Sequence, residues 1–177
     1  MFAGANRVYS GDEAMAAHRE LVQYWMSKCK DGQLPGRQDI HPRDFIKHLP
    51  TISLIEIDEA DQTSDSPQED VAHTAANPDA HYKMRLAGTG LRDIYEGEIT
   101  GKTLSEVYPE AQAQYWRQQL SEVREQAKPA AGAAPLDWKG KDHLVQLWLR
   151  LPLASDGKRV NMILAFDAVV AAGQKAA

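Results

Sequence analysis

With 177 residues, 43% of them hydrophobic, the chain can close one core without staples. Its single cysteine, Cys29, excludes an internal disulfide and a cysteine-rich metal site. The net charge of −5 excludes little until it is mapped. Asp58, Glu59, Asp61, Asp65, Glu69, Asp70 and Asp79 share one stretch without lysine or arginine, and the rest of the chain is close to neutral. A DNA-binding face needs a concentrated basic stripe, and none is visible, so nucleic acid is not an expected partner. No apolar run approaches the length of a membrane span, so no membrane insertion is expected. Met1 to Gly11 lacks the pattern of a signal peptide, and the expected location is the reducing cytoplasm.

In chain order, Ser10 and Glu13 have the spacing of a capping box, which predicts a helix from Ser10 to about Lys30. Met15, His18, Leu21, Val22, Trp25, Met26 and Cys29 recur every three or four residues and form its apolar stripe. That stripe must be buried, on the protein's own sheet or in a dimer seam. Gly32 and Pro35 end the helix, and Pro42 opens a short one over Arg43–His48 that Pro50 closes. Ile52–Ile57 alternates as a first strand. Glu59–Asp79, nearly free of apolar residues, reads as a disordered excursion. Tyr82, Met84 and Leu86 then alternate with Lys83, Arg85 and Ala87 in a second strand.

Gly88-Thr89-Gly90 turns that strand into a short helix ending near Tyr95, with Thr89 as its N-cap. A helical turn is expected over Leu104–Tyr108, and Pro109 opens a long helix to about Ala127. Three strands follow, near Ala133–Trp138, His143–Pro152 and Arg159–Val170, with Gly140 and Asp156-Gly157 supplying two hairpin turns. The order predicts an α+β domain whose helices are inserted between strand pairs. The expected division is a helical segment over 1–50, packed on a domain over 51–170, and a flexible tail over 171–177.

Tyr24-Trp25, Leu34-Pro35-Gly36-Arg37, Asp39-Ile40-His41-Pro42 and Arg85-Leu86-Ala87-Gly88-Thr89 stand in this order along the chain. Thr100-Gly101 and Leu151-Pro152-Leu153, followed by Asp156-Gly157, complete a set that resembles the PAS_5 family of bacterial PAS-like domains. The resemblance implies a PAS-like fold: about five antiparallel strands, helices between the second and third, and here an N-terminal helical extension. It implies a sensing or interaction role in signal transduction without naming a ligand. Glu96 precedes Gly97 at the turn near Tyr95, a departure from the family pattern.

Other chemistries fail on spacing. Gly97 to Thr103 would need glycine at position 96 to form a phosphate loop, and Glu96 stands there. Gly88-Thr89-Gly90 lacks the third glycine of a dinucleotide fingerprint, because Asp93 occupies its place. The six histidines are scattered without metal spacing, and nothing selects one of them for haem. Cys29 lies outside the helical segment where a flavin-reactive cysteine would stand. No nucleophile elbow is present, so no catalytic residue and no cofactor is assigned.

The leading expectation is a stand-alone sensory domain that binds a small molecule and signals by association with another protein. A ligand-free adaptor is the alternative, and an enzyme a distant third. Tyr82, Arg85, Thr89, Tyr95, Tyr108 and Trp116 are the candidate ligand-binding residues, with Trp148 as a further candidate lining residue. Arg37 is expected to pair with Asp39 or Asp44, and for Arg85 local anchoring competes with ligand contact. The strand His143–Leu151 is apolar on both faces: Val145, Leu147, Leu149 and Leu151 on one, Leu144 and Trp148 on the other. The first set is expected to face the inserted helices. Leu144 and Trp148 are then left to meet Trp25 and Met26 of the first helix, with a homodimer sharing that patch.

Overall fold

A computed structural model describes residues 8–58 and 82–173. The expected excursion over 59–79 lies outside the described residues, as do residues 174–177 of the expected tail. Six strands form one sheet: β1 (Val8–Tyr9), β2 (Ile52–Ile57), β3 (Tyr82–Ala87), β4 (Ala130–Pro135), β5 (Leu144–Leu153) and β6 (Met162–Ala171). The order is β3-β2-β6-β5-β4, antiparallel throughout, and β1 adds a parallel pairing to Val169 and Val170 of β6. The helices are α1 (Gly11–Lys28), α2 (Leu91–Tyr95), α3 (Leu104–Val107) and α4 (Glu110–Gln126). No helix among the described residues is long and apolar enough to cross a membrane.

The capping box forms as expected: the Glu13 amide donates to Ser10 Oγ at 3.2 Å, and the Ser10 amide donates to Glu13 Oε2 at 2.9 Å. The buried stripe of α1 is Ala14, Ala17, His18, Leu21 and Trp25, whereas Met15 and Met26 are exposed. Alanines let the helix axis approach the sheet closely, so the contact runs along them and the longer methionines fall at its edges. Pro42–Thr51 is a 3₁₀ segment kinked at Phe45. Arg37 makes none of the expected pairings; its Nη1 donates to the Ile40 carbonyl at 3.0 Å, while Asp44 meets Lys28 at 3.4 Å.

Two corrections concern local boundaries. Strand β4 begins three residues earlier than expected, and Asp137–Lys139 is a 3₁₀ turn. Pairing of Ala130–Pro135 with Arg150–Val145 decides this, overriding the weak strand propensity of an alanine-glycine run. Thr89 is exposed and does not cap α2; the N-cap position is Gly90, without a side-chain bond.

The sheet is covered on both faces. On the outer face α1 and the Pro42–Thr51 segment pack on Ile52, Leu54, Leu149, Leu151, Leu153, Leu164 and Phe166. On the inner face α2, α3 and α4 pack on Ile55, Ile57, Tyr82, Met84, Trp148, Ile163 and Ala165. This reverses the expected assignment of β5. Leu149 and Leu151 face α1, while Leu144 and Trp148 face the inserted helices. Trp25 is 7% exposed and its Nε1 donates to the Pro152 carbonyl at 2.8 Å, so it anchors α1 to its own sheet. Trp148 is 2% exposed on the opposite face, and the patch expected to join these two tryptophans does not form.

Candidate functional site

The inner face buries an arginine–aspartate pair beneath its helices. Side chains alternate along a strand, so Gln146, Trp148 and Arg150 of β5 and Asp167 of β6 project under the helices. All four are buried, and Trp148 and Asp167 are direct cross-strand partners. Arg150 Nη2 donates to Asp167 Oδ1 at 2.9 Å, and Gln146 Nε2 donates to the same oxygen at 2.7 Å. Arg150 Nη1 also donates to the carbonyls of Leu149 and Phe166, at 3.0 and 3.2 Å. Its Nε is buried without a partner.

The network continues into the helices. Gln146 Nε2 donates to the Tyr95 hydroxyl at 3.1 Å, and the Tyr95 and Tyr108 hydroxyls share a hydrogen bond of 2.9 Å. Burial, and then the Asp167 carboxylate, push Tyr95 above the ordinary tyrosine range. Tyr108 is raised by burial first and by Tyr95 next, so both hydroxyls keep their protons. Burial pulls the Arg150 guanidinium down, but Asp167 and the two tyrosines outweigh it and hold the group above the ordinary arginine value.

Aromatic rings enclose the charge. The guanidinium carbon lies 4.6 Å from the Trp116 centroid and 5.6 Å from that of Trp148, within cation–π range. Trp116 packs on Trp148 at 5.6 Å and on Tyr108 at 5.8 Å, and Trp138 on Tyr108 at 5.3 Å. Trp148 Nε1 donates to the Tyr115 hydroxyl at 3.1 Å. The Trp148 ring also crosses β4 where only glycine fits: a Cβ on Gly132 would sit 2.5 Å from that ring.

A clasp closes one end of the cluster. Glu96 ends α2 with φ of 57°, a left-handed conformation that costs a non-glycine residue about 1–2 kcal/mol. From there its carboxylate reaches Lys141 at 3.1 Å and Lys139 at 3.6 Å, and Lys139 Nζ lies 5.1 Å from the Trp138 ring. The departure from the family pattern at Glu96 thus holds α2 against the turn that carries Trp138.

Of the candidate ligand-binding residues, Tyr82, Tyr95, Tyr108 and Trp116 come together in the inner-face cluster. Tyr82 bonds Ser121 at 2.9 Å. Arg85 and Thr89 are exposed, and Arg85 Nη1 meets Glu56 Oε2 at 3.3 Å. That ion pair is the local anchoring expected as one of its two roles. Of the candidate interface residues, Met26 is exposed, whereas Trp25 and Trp148 are buried and Leu144 packs partly buried on the inner cluster. Sequence reasoning missed Gln146, Arg150, Asp167 and Trp138. Among the described residues, no group of three histidine, cysteine, aspartate or glutamate side chains could hold a metal ion.

An antiparallel sheet with helices inserted across one face, over a site built from sheet and helix residues, is the architecture of a PAS domain. The chain belongs to the PAS_5 family of PAS domains, whose model matches residues 14–64 and 70–166. Membership groups it with sensory and interaction domains, and the match takes in most of α1. No curated protein and no solved structure matches the chain.

Proposed function

We propose that this PAS domain is a sensory module in which a small molecule is registered at the buried Arg150–Asp167 network and the signal leaves by association with another protein. The observation that carries the reading is Arg150: a fully buried cation, boxed by Trp116 and Trp148, with one donor still unused. A buried ion pair costs several kcal/mol per ion in desolvation and is weak as a source of stability. Apolar side chains of similar volume would fill the same space at no loss of stability, so a charge pair placed there favours a use other than packing. The reading assigns no catalytic residue.

A ligand-free adaptor is the second reading, and one observation favours it. Neighbouring rings among Tyr95, Tyr108, Trp116, Trp138 and Trp148 have centroids 5.3–6.3 Å apart, the spacing of direct aromatic packing, which favours a filled interior. Native mass spectrometry of the purified chain separates the two, and the same spectra report whether it pairs with itself. Retention of a small molecule that is lost in Gln146→Leu and Tyr108→Phe is the result expected of a sensor. A wild-type chain free of any bound mass overturns the ligand and leaves the adaptor.

A further inference from the structure

The two edges of the sheet differ. At β3 the Met84 amide donates to the Lys102 carbonyl at 2.8 Å, and Lys83 bridges to Thr103, so the segment 101–103 lies along that edge. Strand β4 stands at the other edge and pairs with β5 alone. Just past its end the Leu136 amide donates to the Leu144 carbonyl at 3.3 Å, which sets the parity of the ladder. Bonded pairs alternate along an antiparallel ladder. Ala130, Gly132 and Ala134 therefore turn their backbone groups toward β5, and Ala131 and Ala133 turn theirs away. None of the described residues bonds the outward N–H and C=O groups of Ala131 and Ala133.

Nothing along β4 blunts this edge. Its register with β5 is unbroken, its side chains over 130–134 are alanine and glycine, and Ala131 and Ala133 are exposed. Sheet edges are ordinarily protected by charge, bulge or cover, because unpaired backbone groups recruit another strand. The sequence here also reads the same in both directions: Pro129-Ala130-Ala131-Gly132-Ala133-Ala134-Pro135 is a palindrome about Gly132. Such an edge is self-complementary under a two-fold axis. Laid antiparallel on a second copy with Gly132 opposite Gly132, Ala131 meets Ala133, and each outward N–H meets an outward C=O. The prolines, which lack an N–H, fall opposite each other at both ends and stop the pairing there.

We infer that β4 is a self-association edge, at which two copies of this chain join antiparallel about Gly132 into one continuous sheet. Isologous pairing uses the same edge on both copies, so the assembly closes as a dimer and does not grow into a filament. The surface is distinct from Trp25, whose ring is committed to its own sheet. It does not rest on the reading of the Arg150 network.

The test uses the full chain, with sedimentation velocity for mass and amide hydrogen exchange for the contact. The wild type is expected to sediment as a dimer at micromolar concentration, with the Ala131 and Ala133 amides protected from exchange. Ala131→Pro removes an outward donor from each copy and no bond to β5, and weakens the dimer about tenfold or more. Register is read from paired charges, because Ala131 of one copy stands opposite Ala133 of the other. The double variant A131K/A133K sets like charges across the edge and dissociates, whereas A131E/A133K sets opposite charges there and stays dimeric. Both doubles alter the same exposed positions, so the contrast between them does not come from folding. A wild-type monomer overturns the edge. So does a dimer whose Ala131 and Ala133 amides exchange freely, or one that both doubles leave equally associated.

Discussion

The two faces of this sheet solve the same burial problem in different ways. The outer face is covered by α1 through small and apolar side chains, with Trp25 fixed to the Pro152 carbonyl. The inner face buries an arginine, an aspartate, a glutamine and two hydrogen-bonded tyrosines among tryptophans. Adjacent residues of one strand serve both, Leu149 facing out and Arg150 facing in. The difference teaches where specificity resides: the outer contact needs volume and hydrocarbon, and the inner one needs each polar partner in place.

Separating the partners is the sharpest way to break the comparison. Arg150→Met leaves Asp167 as an uncompensated buried charge and is expected to cost about 3–5 kcal/mol in urea denaturation. A loss below about 1 kcal/mol would mean that the pair is hydrated in solution. On the outer face Trp25→Ala is expected to cost a similar 3–5 kcal/mol by cavity formation. Trp25→Phe then recovers part of it, because bulk returns while the Pro152 carbonyl loses its donor. Arg150→Lys gives no such recovery, since one ammonium cannot reproduce the planar set of bonds.

Gly132→Ala comes next. Its new Cβ meets the Trp148 ring, and overpacking of about 1–3 kcal/mol is expected, with a change in tryptophan fluorescence. An unchanged spectrum and melting midpoint would contradict the packing of that ring.

The smallest effect sharpens the outer face by pH. Burial depresses His18 below its ordinary value of 6.5, with Asp167 and a hydrogen bond to the Leu147 backbone opposing and Arg150 acting in the same direction as burial. The unfolded chain therefore binds more protons than the folded one just below pH 6.5, and stability falls as pH drops through that window. It levels off once pH passes below the folded value. His18→Gln is expected to remove this part of the slope, read from denaturation midpoints between pH 7.5 and about 5; an unaltered slope would assign it elsewhere.

Much of the frame was legible because its signals are local. Ser10 and Glu13 announced the start of α1, and alternation gave Ile52–Ile57 and the run from Tyr82 their bounds. What failed was decided at a distance. Strand β1 is two residues whose only signal is a tertiary pairing to β6, and β4 takes its limits from β5. Counting apolar residues on β5 gave the right two faces and the wrong cover for each. Gln146 and Arg150 stand on the Trp148 face, and Asp167 interrupts the apolar run Met162–Ala171. Charges at mid-strand, in strands whose faces both need cover, were the available sign of a buried polar site. On α1 the alanines mattered more than the methionines, because closeness of approach is invisible to a scale of hydrophobicity.

We propose that the inner-face network serves recognition and not stability. Urea denaturation of Arg150→Met, Asp167→Asn and the double variant tests it most directly. The account predicts that the double variant, with both charges gone, recovers at least half of the loss seen in Arg150→Met. A double variant as unstable as the sum of its singles would contradict it, and would make the ion pair a structural support of the fold.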